Sequence, residues 1–204
     1  DWMRPALAEE ALRLGRVVAG LAPDEPEVHG LVALMEIQAS RLHARIGPNG
    51  EPILLLDQNR ARWDRLLIRR GLESLARAQA IGGGIYTLQA AIAACHARAD
   101  KPSETDWKAI AGLYEQLARI APSPVVELNR AVAVGMAEGP AAALAITDQL
   151  GEALGSYYLL PSVRADLLAK LGRTEEARNE LARAAGLTSN ARERQLLLDR
   201  AAKL

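Results

Sequence analysis

The stretch that decides the fold is Leu171–Leu187, which reads L-G-R-T-E-E-A-R-N-E-L-A-R-A-A-G-L. Gly172 predicts the end of one helix, and Thr174 predicts the cap of the next. Glu175 and Glu176 follow, at the positive end of a helix dipole, where carboxylates are favoured. The stretch therefore predicts two helices joined by a short turn, and the second has one buried stripe: Ala177, Leu181, Ala184 and Ala185.

This pattern recurs weakly along the chain at an offset of about 34 residues, which is the period of tetratricopeptide repeats. Arg130-Ala131 recurs as Arg164-Ala165, and Ala143 recurs as Ala177. Helical periodicity runs almost everywhere else, and about ten helices are expected. We predict an all-α fold of tetratricopeptide-like antiparallel helix pairs, stacked into a right-handed curved solenoid. The turns between neighbouring helices are expected at Pro23, Pro122, Gly139 and Gly172.

Two segments interrupt the helical pattern, Ile46–Pro52 and Gly82–Gly84, and a short strand candidate and an internal proline also stand out. Ile46–Pro52 is a turn-rich connection centred on Asn49-Gly50, and Ile53–Leu56 is the one short strand candidate. Gly82-Gly83-Gly84 predicts a helix C-cap and hinge, because a phosphate loop would need a preceding strand and a following Lys-Ser/Thr. Pro161 predicts either a helix that begins near Leu160 or a kink.

Composition limits the kinds of partner. Lys+Arg and Asp+Glu both number 25 among 204 residues, so the formal net charge is zero. A neutral chain has no long-range attraction to nucleic acid or to an anionic membrane. No apolar run reaches the roughly 20 residues of a membrane span. The chain opens on Asp1 instead of Met, and we interpret it as a fragment of a longer protein.

No set of residues predicts catalysis. Cys95 is the one cysteine, and its apolar surroundings predict a buried, inert thiol. The three histidines, His29, His43 and His96, form no metal-binding pair at helical spacing. A nucleophile elbow is absent as well. Arg62, Arg65 and Arg69 share a helix face that could contact phosphate, although a solvated face is the preferred interpretation. We therefore expect no enzyme, no catalytic or metal-binding residue, and no cofactor.

The polar cluster between Ile53–Leu56 and the following helix needs its own explanation. Asp57 is placed to cap that helix, and Asp57, Arg60 and Asp64 would lie along one helical stripe as a self-paired network. This arrangement suits a structural joint, either internal or against a partner. The motif and interaction candidates are Asp57, Gln58, Asn59, Arg60, Trp63 and Asp64. Trp63 and Trp107 are both predicted to be core residues.

Four motifs occur in a fixed order: D-Q-N-R-A-R-W-D at 57–64, Y-T-L-Q-A-A-I-A-A at 86–94, T-D-W-K-A-I-A-G-L-Y at 105–114, and S-P-V-V-E-L-N-R-A-V-A at 123–133. Together with the repeat-like tail, they resemble the C-terminal extension of a group of extracytoplasmic-function sigma factors of the sigma-70 superfamily. Members of that group join two sigma domains to a tetratricopeptide-like helical domain. The family motif is similar to Asp-Gln-Asp-Arg, from which Asn59 departs.

The resemblance implies that this chain is the regulatory part of a longer protein and that other domains contact the promoter. Residues 1–204 would form one helical-repeat regulatory domain, with a less regular half at 1–100, a repeat-like half at 101–204, and the N-terminal sigma domains absent. Its expected partners are those sigma domains and RNA polymerase, with promoter DNA contacted only through the missing part. A cytoplasmic location follows, with no membrane partner. The alternatives are a free-standing repeat scaffold that binds a peptide or protein, and a helical enzyme with an unrecognised site.

Overall fold

The computed structural model describes residues 4–48, 50–51 and 53–204, and within them it contains ten α-helices and no strand. The all-α prediction is therefore confirmed. The solenoid arrangement remains a prediction. The helices, numbered in chain order, are α1 Pro5–Leu21, α2 Pro26–Ala39, α3 Arg65–Ile81, α4 Ile85–Arg98, α5 Trp107–Ile120, α6 Pro124–Ala137, α7 Pro140–Asp148, α8 Leu159–Lys170, α9 Thr174–Leu187 and α10 Ala191–Lys203.

The chain divides into two compact units, Asp1–Ala109 and Ile110–Leu204. In the first unit, α2 lies at the centre and packs against α1, α3 and α4. Two glycines allow the closest of these contacts. A Cβ atom on Gly30 would lie 2.7 Å from the backbone nitrogen of Thr87, and one on Gly71 would lie 2.7 Å from Ile37. Gly30 on α2 and Gly71 on α3 therefore lie where the helices pack too closely for a larger side chain.

The three glycines at 82–84 join α3 to α4. Gly82 ends α3 with φ +140°, and Gly83 follows with φ +76°, a region that favours glycine. The predicted C-cap is thus confirmed. The free amides at the start of α4 bind a carboxylate of the protein itself. Glu27 accepts hydrogen bonds from the backbone nitrogens of Tyr86, at 2.8 Å, and Thr87, at 3.2 Å.

Residues around the strand candidate Ile53–Leu56 form no strand. Leu55–Asp57 is a turn of 3-10 helix, and the backbone nitrogen of Ile53 donates to the carbonyl of Arg45 at 2.8 Å. Four apolar residues are too few to override this turn without a neighbouring strand to pair with. The predicted turn at Asn49, with Pro52, lies outside the described residues.

In the second unit, each helix from α6 to α10 packs against the next. Ser123 caps α6 as predicted, and its hydroxyl accepts from the backbone nitrogen of Val125 at 3.3 Å. Pro161 is the third residue of α8, where a missing N–H is tolerated, so the prediction that the helix begins near Leu160 is confirmed. Thr174 is the first residue of α9 and does not cap it, because Arg173 holds that position.

Candidate partner-binding site around Arg60

The segment 55–64 consists of two short 3-10 turns instead of a helix start. Asn59 caps the second turn, Arg60–Arg62, and its side-chain oxygen accepts from the backbone nitrogen of Ala61 at 3.0 Å. An aspartate at this position would supply the same acceptor. The difference between Asn59 and the aspartate expected from the resemblance therefore loses no hydrogen bond here.

The predicted network of Asp57, Arg60 and Asp64 is wrong. Asp57 is exposed, whereas Asp64 caps α3 and accepts from the backbone nitrogens of Leu66 and Leu67 at 2.9 and 3.0 Å. The prediction assumed helical spacing from Asp57 onward. Because the helix begins only at Arg65, the three side chains do not lie on one stripe.

Arg60 instead joins distant parts of the first unit, and only 5% of it is exposed. Its Nη1 donates to the carbonyls of His96, at 2.8 Å, and Ala99, at 2.6 Å, at the C-terminal end of α4. Its Nη2 donates to the hydroxyl of Thr105 at 3.1 Å. Arg60 therefore forms an internal joint, but its acceptors are neutral oxygens and not the carboxylates that were predicted.

Two further contacts fix this segment to the first unit. The side-chain nitrogen of Gln58, which is buried, donates to the carbonyl of Ile53 at 3.1 Å. The backbone nitrogen of Asp64 donates to the carbonyl of Ser40, the C-cap of α2, at 2.9 Å. The segment is therefore held at both ends by side-chain and backbone bonds.

Trp63 is a core residue, as predicted, with 4% of its surface exposed. It precedes α3 and is not part of an apolar helix stripe. The guanidinium carbons of Arg41 and Arg60 lie 5.7 and 5.1 Å from its ring centroid, within the range of cation–π attraction. Trp107 is only partly buried, and its ring meets the edge of His96 at 5.1 Å between centroids. The prediction that Trp107 is a core residue is therefore met only in part.

A pair of arginines lies beside this joint. Arg41 and Arg45 follow the end of α2, and both donate to the side-chain oxygen of Gln38, Arg45 at 2.7 Å. Arg45 also reaches the carbonyl of Gln38 at 3.4 Å. Arg41, Arg45 and Arg60 are called the arginine cluster below. Sequence analysis missed its first two members, although the spacing Gln38, Arg41, Arg45 places them near one another at a helix end.

Burial and like charge shape the electrostatics of the cluster. Burial, with Arg45 and Arg60 nearby, lowers the pKa of Arg41 to about 10. Burial, with Arg41 and Arg60 nearby, lowers the pKa of His96 to about 4. Burial also lowers the pKa of Arg60, an effect opposed by the more distant Glu104 and Asp100. At neutral pH the three arginines are therefore charged, and His96 is neutral.

Most of the buried side-chain atoms without a protein hydrogen-bond partner lie in this region. Within the described residues they include nitrogens of Arg41, Arg60, Trp63 and His96 and the side-chain oxygen of Gln58. Native proteins leave few such atoms, and a concentration of them distinguishes functional or strained regions from ordinary core. The segment 57–64 and the arginine cluster therefore form the candidate site of this chain.

Other concave regions are less specific. A cavity of about 710 Å³ in the first unit is lined by Arg16, Glu36 and Arg70, among others, and Arg16 pairs there with the buried Glu36 at 2.8 Å. A cavity of about 330 Å³ contains the partly buried Cys95 beside Asp106. No group of His, Cys, Asp or Glu among the described residues could hold a metal ion.

Comparison with known proteins finds similarity to a family and to a protein whose descriptions state no function. Residues 1–79 match the sequence model described as "Family of unknown function (DUF6596)". Over 188 residues, or 92% of the chain, it is 49% identical to "Uncharacterized protein R00370" of Rhizobium meliloti (strain 1021). The chain covers 44% of that relative's length. No solved structure matches the chain. Within the described residues, every helix is too short or too polar to cross a membrane.

Proposed function

We propose that this chain is the regulatory extension of an extracytoplasmic-function sigma factor, and that it modulates transcription initiation. The protein is proposed to lie in the cytoplasm. Its partners are the sigma domains of the same full-length protein and RNA polymerase. Promoter DNA is contacted by those sigma domains. The chain itself supplies a helical-repeat surface and no catalytic group.

One observation carries the proposal: a single side chain connects the first motif behind the resemblance to the third motif and to the end of the helix that carries the second. Arg60, from the first motif, donates to carbonyls at the end of α4, the helix that carries the second motif, Tyr86–Ala94. It also donates to Thr105, the first residue of the third motif. Motifs that share one buried joint are a single structural signature, so the resemblance rests on more than scattered matches.

The size of the relative agrees with this proposal. More than half of the Rhizobium meliloti protein lies outside the segment that matches this chain. That length leaves room for further domains, such as the two sigma domains that the resemblance implies.

The surface of α1 offers a contact area for such domains. Leu7, Leu14, Val18 and Leu21 lie at helical spacing on one side of α1, and between 47% and 81% of each is exposed. Exposed apolar stripes of this kind are typical of interaction surfaces. We call these four residues the α1 stripe.

The repeat character of the second unit supports the tetratricopeptide-like part of the proposal. Ala143 and Ala177 are both fully buried, and so are Ala131 and, within 1%, Ala165. Small buried residues at equivalent positions allow helix pairs to stack closely. A right-handed curved stack of these pairs is the arrangement that we propose.

Copurification with core RNA polymerase tests the proposal. The full-length protein that contains this chain should bind core polymerase, and sequence lying N-terminal to residue 1 should be sufficient for that binding. A full-length protein that does not bind the polymerase would exclude the sigma-factor assignment. The matched control is the chain 1–204 alone, which lacks the sigma domains and should bind core polymerase much more weakly.

A further inference from the structure

We infer that the arginine cluster is a receptor for a carboxylate side chain of an acidic protein segment. This site goes beyond the proposed function, because it specifies a ligand chemistry that the sigma-factor assignment does not require. It would stand even if the full-length protein did not bind RNA polymerase.

The first argument is a surplus of positive charge. Every hydrogen bond that Arg41, Arg45 and Arg60 make within the described residues ends on a neutral oxygen, of an amide, a carbonyl or a hydroxyl. The C-terminal ends of α2 and α4 offset part of this charge, by about half a unit each. Glu104 and Asp100 offset part of the charge of Arg60, whereas Arg41 and Arg45 donate only to Gln38, and an anion would stabilise these two charges.

The second argument is a surplus of hydrogen-bond donors. Arg41 and Arg45 both donate to the one side-chain oxygen of Gln38, and the Nε atom of Arg41 has no protein acceptor. Each guanidinium carries five N–H groups in a planar fork that matches the two oxygens of a carboxylate. Both residues are partly exposed, although the Nε atom of Arg41 is itself buried, so we infer that a ligand meets their terminal guanidinium nitrogens.

The third argument is that the receptor is held in place before a ligand binds. Arg60 is fixed by its three hydrogen bonds, and the buried Trp63 ring lies within 6 Å of both its guanidinium and that of Arg41. A pre-ordered site loses less conformational entropy on binding, and a single carboxylate therefore suffices to occupy it.

The same geometry disfavours nucleic acid as the ligand. Single-stranded nucleic acid binds through stacking on accessible aromatic rings, and Trp63 is only 4% exposed. The chain also lacks the net positive charge that draws phosphate backbones. An acidic protein segment needs neither feature, since it offers carboxylates one at a time on flexible side chains.

The test uses the chain 1–204 and three probes. They are a short peptide of alternating Glu and Ala, the same peptide with Gln in place of Glu, and inorganic phosphate. Affinity is measured by calorimetry at constant ionic strength, and ¹⁵N shifts of the arginine Nε groups locate the site. The variants are Arg41→Gln and Arg45→Gln. Arg69→Gln is the matched control, because Arg69 is exposed in the same unit and lies 3.9 Å from its nearest carboxylate, Glu73.

The Glu peptide should bind and shift the Nε signals of Arg41 and Arg45, while the Gln peptide should not. Each cluster variant should weaken binding by about tenfold or more, and the control by less than about twofold. If Arg41→Gln unfolds in a thermal melt, the result for Arg45→Gln decides. Equal losses in all three variants, equal binding of the Gln peptide, no binding of the Glu peptide, or binding of phosphate alone would each overturn the inference.

Discussion

At the scale of single residues, Arg60 is a buried side chain that joins distant parts of the first unit. Its partners, the carbonyls of His96 and Ala99 and the hydroxyl of Thr105, lie far from it in sequence. A buried guanidinium that satisfies such acceptors contributes more than an exposed ion pair, because removing it leaves polar groups buried without partners.

Replacing Arg60 with alanine should therefore destabilise the chain by about 2–4 kcal/mol, because its hydrogen bonds act as one network and their separate contributions do not add. Relief of repulsion from Arg41 should offset only about 1 kcal/mol of this loss. Arg62→Ala is the control, because Arg62 is exposed on the same 3-10 turn. Urea denaturation measures both, and equal midpoints for the two variants would show that the joint contributes nothing.

His96 should make stability depend on pH. Its pKa is about 4 in the folded chain and about 6.5 when unfolded, so below pH 6.5 the unfolded state binds more protons. Stability should therefore fall as pH drops from 6.5 to 4, by up to about 3 kcal/mol.

The variant His96→Gln should remove this part of the pH dependence. The unsubstituted chain, measured in the same buffers, supplies the control. Unfolding free energies measured across that range decide the matter. An unchanged slope in His96→Gln would mean that the imidazole is not buried beside the arginines.

At the scale of helices and turns, Glu27 connects α2 to the start of α4. Its carboxylate accepts from two backbone nitrogens and from the hydroxyl of Thr87 at 3.1 Å. It takes the place that a capping residue would hold, because Gly84 precedes α4 and has no side chain.

We expect Glu27→Ala to destabilise the chain by about 1–2 kcal/mol, the usual effect of losing a helix cap. Glu25→Ala is a matched control, because Glu25 precedes α2, is exposed and makes no side-chain capping bond. Thermal unfolding of the two variants gives the comparison. Equal melting temperatures would show that the glycine turn alone positions α4.

The sequence predicted those elements whose signals are local. The cap at Ser123, the helix start near Pro161 and the helix end at Gly82 each follow from the chemistry of one or two neighbouring residues. The partners of Arg60 could not be predicted in this way, because backbone carbonyls at helix ends have no sequence signature. The Asp57 network failed for a related reason: 3-10 turns shift side chains away from helical spacing.

At the scale of the whole molecule, the chain is two compact helical units that include no strand among the described residues. The first contains the joint at Arg60, the arginine cluster and the α1 stripe. The second contains the helix pairs with equivalent buried alanines. We propose that together they form one regulatory extension, and that this extension acts on transcription.

In vitro transcription with core RNA polymerase tests this central claim most directly. The full-length protein should start transcription from its own promoter. A version that lacks residues 1–204 should give a transcript yield that differs by about tenfold or more, in either direction. The truncated version must first be shown to remain folded. Equal transcription by the intact and truncated proteins would contradict a regulatory role, and no initiation by the intact protein would contradict the sigma-factor assignment itself.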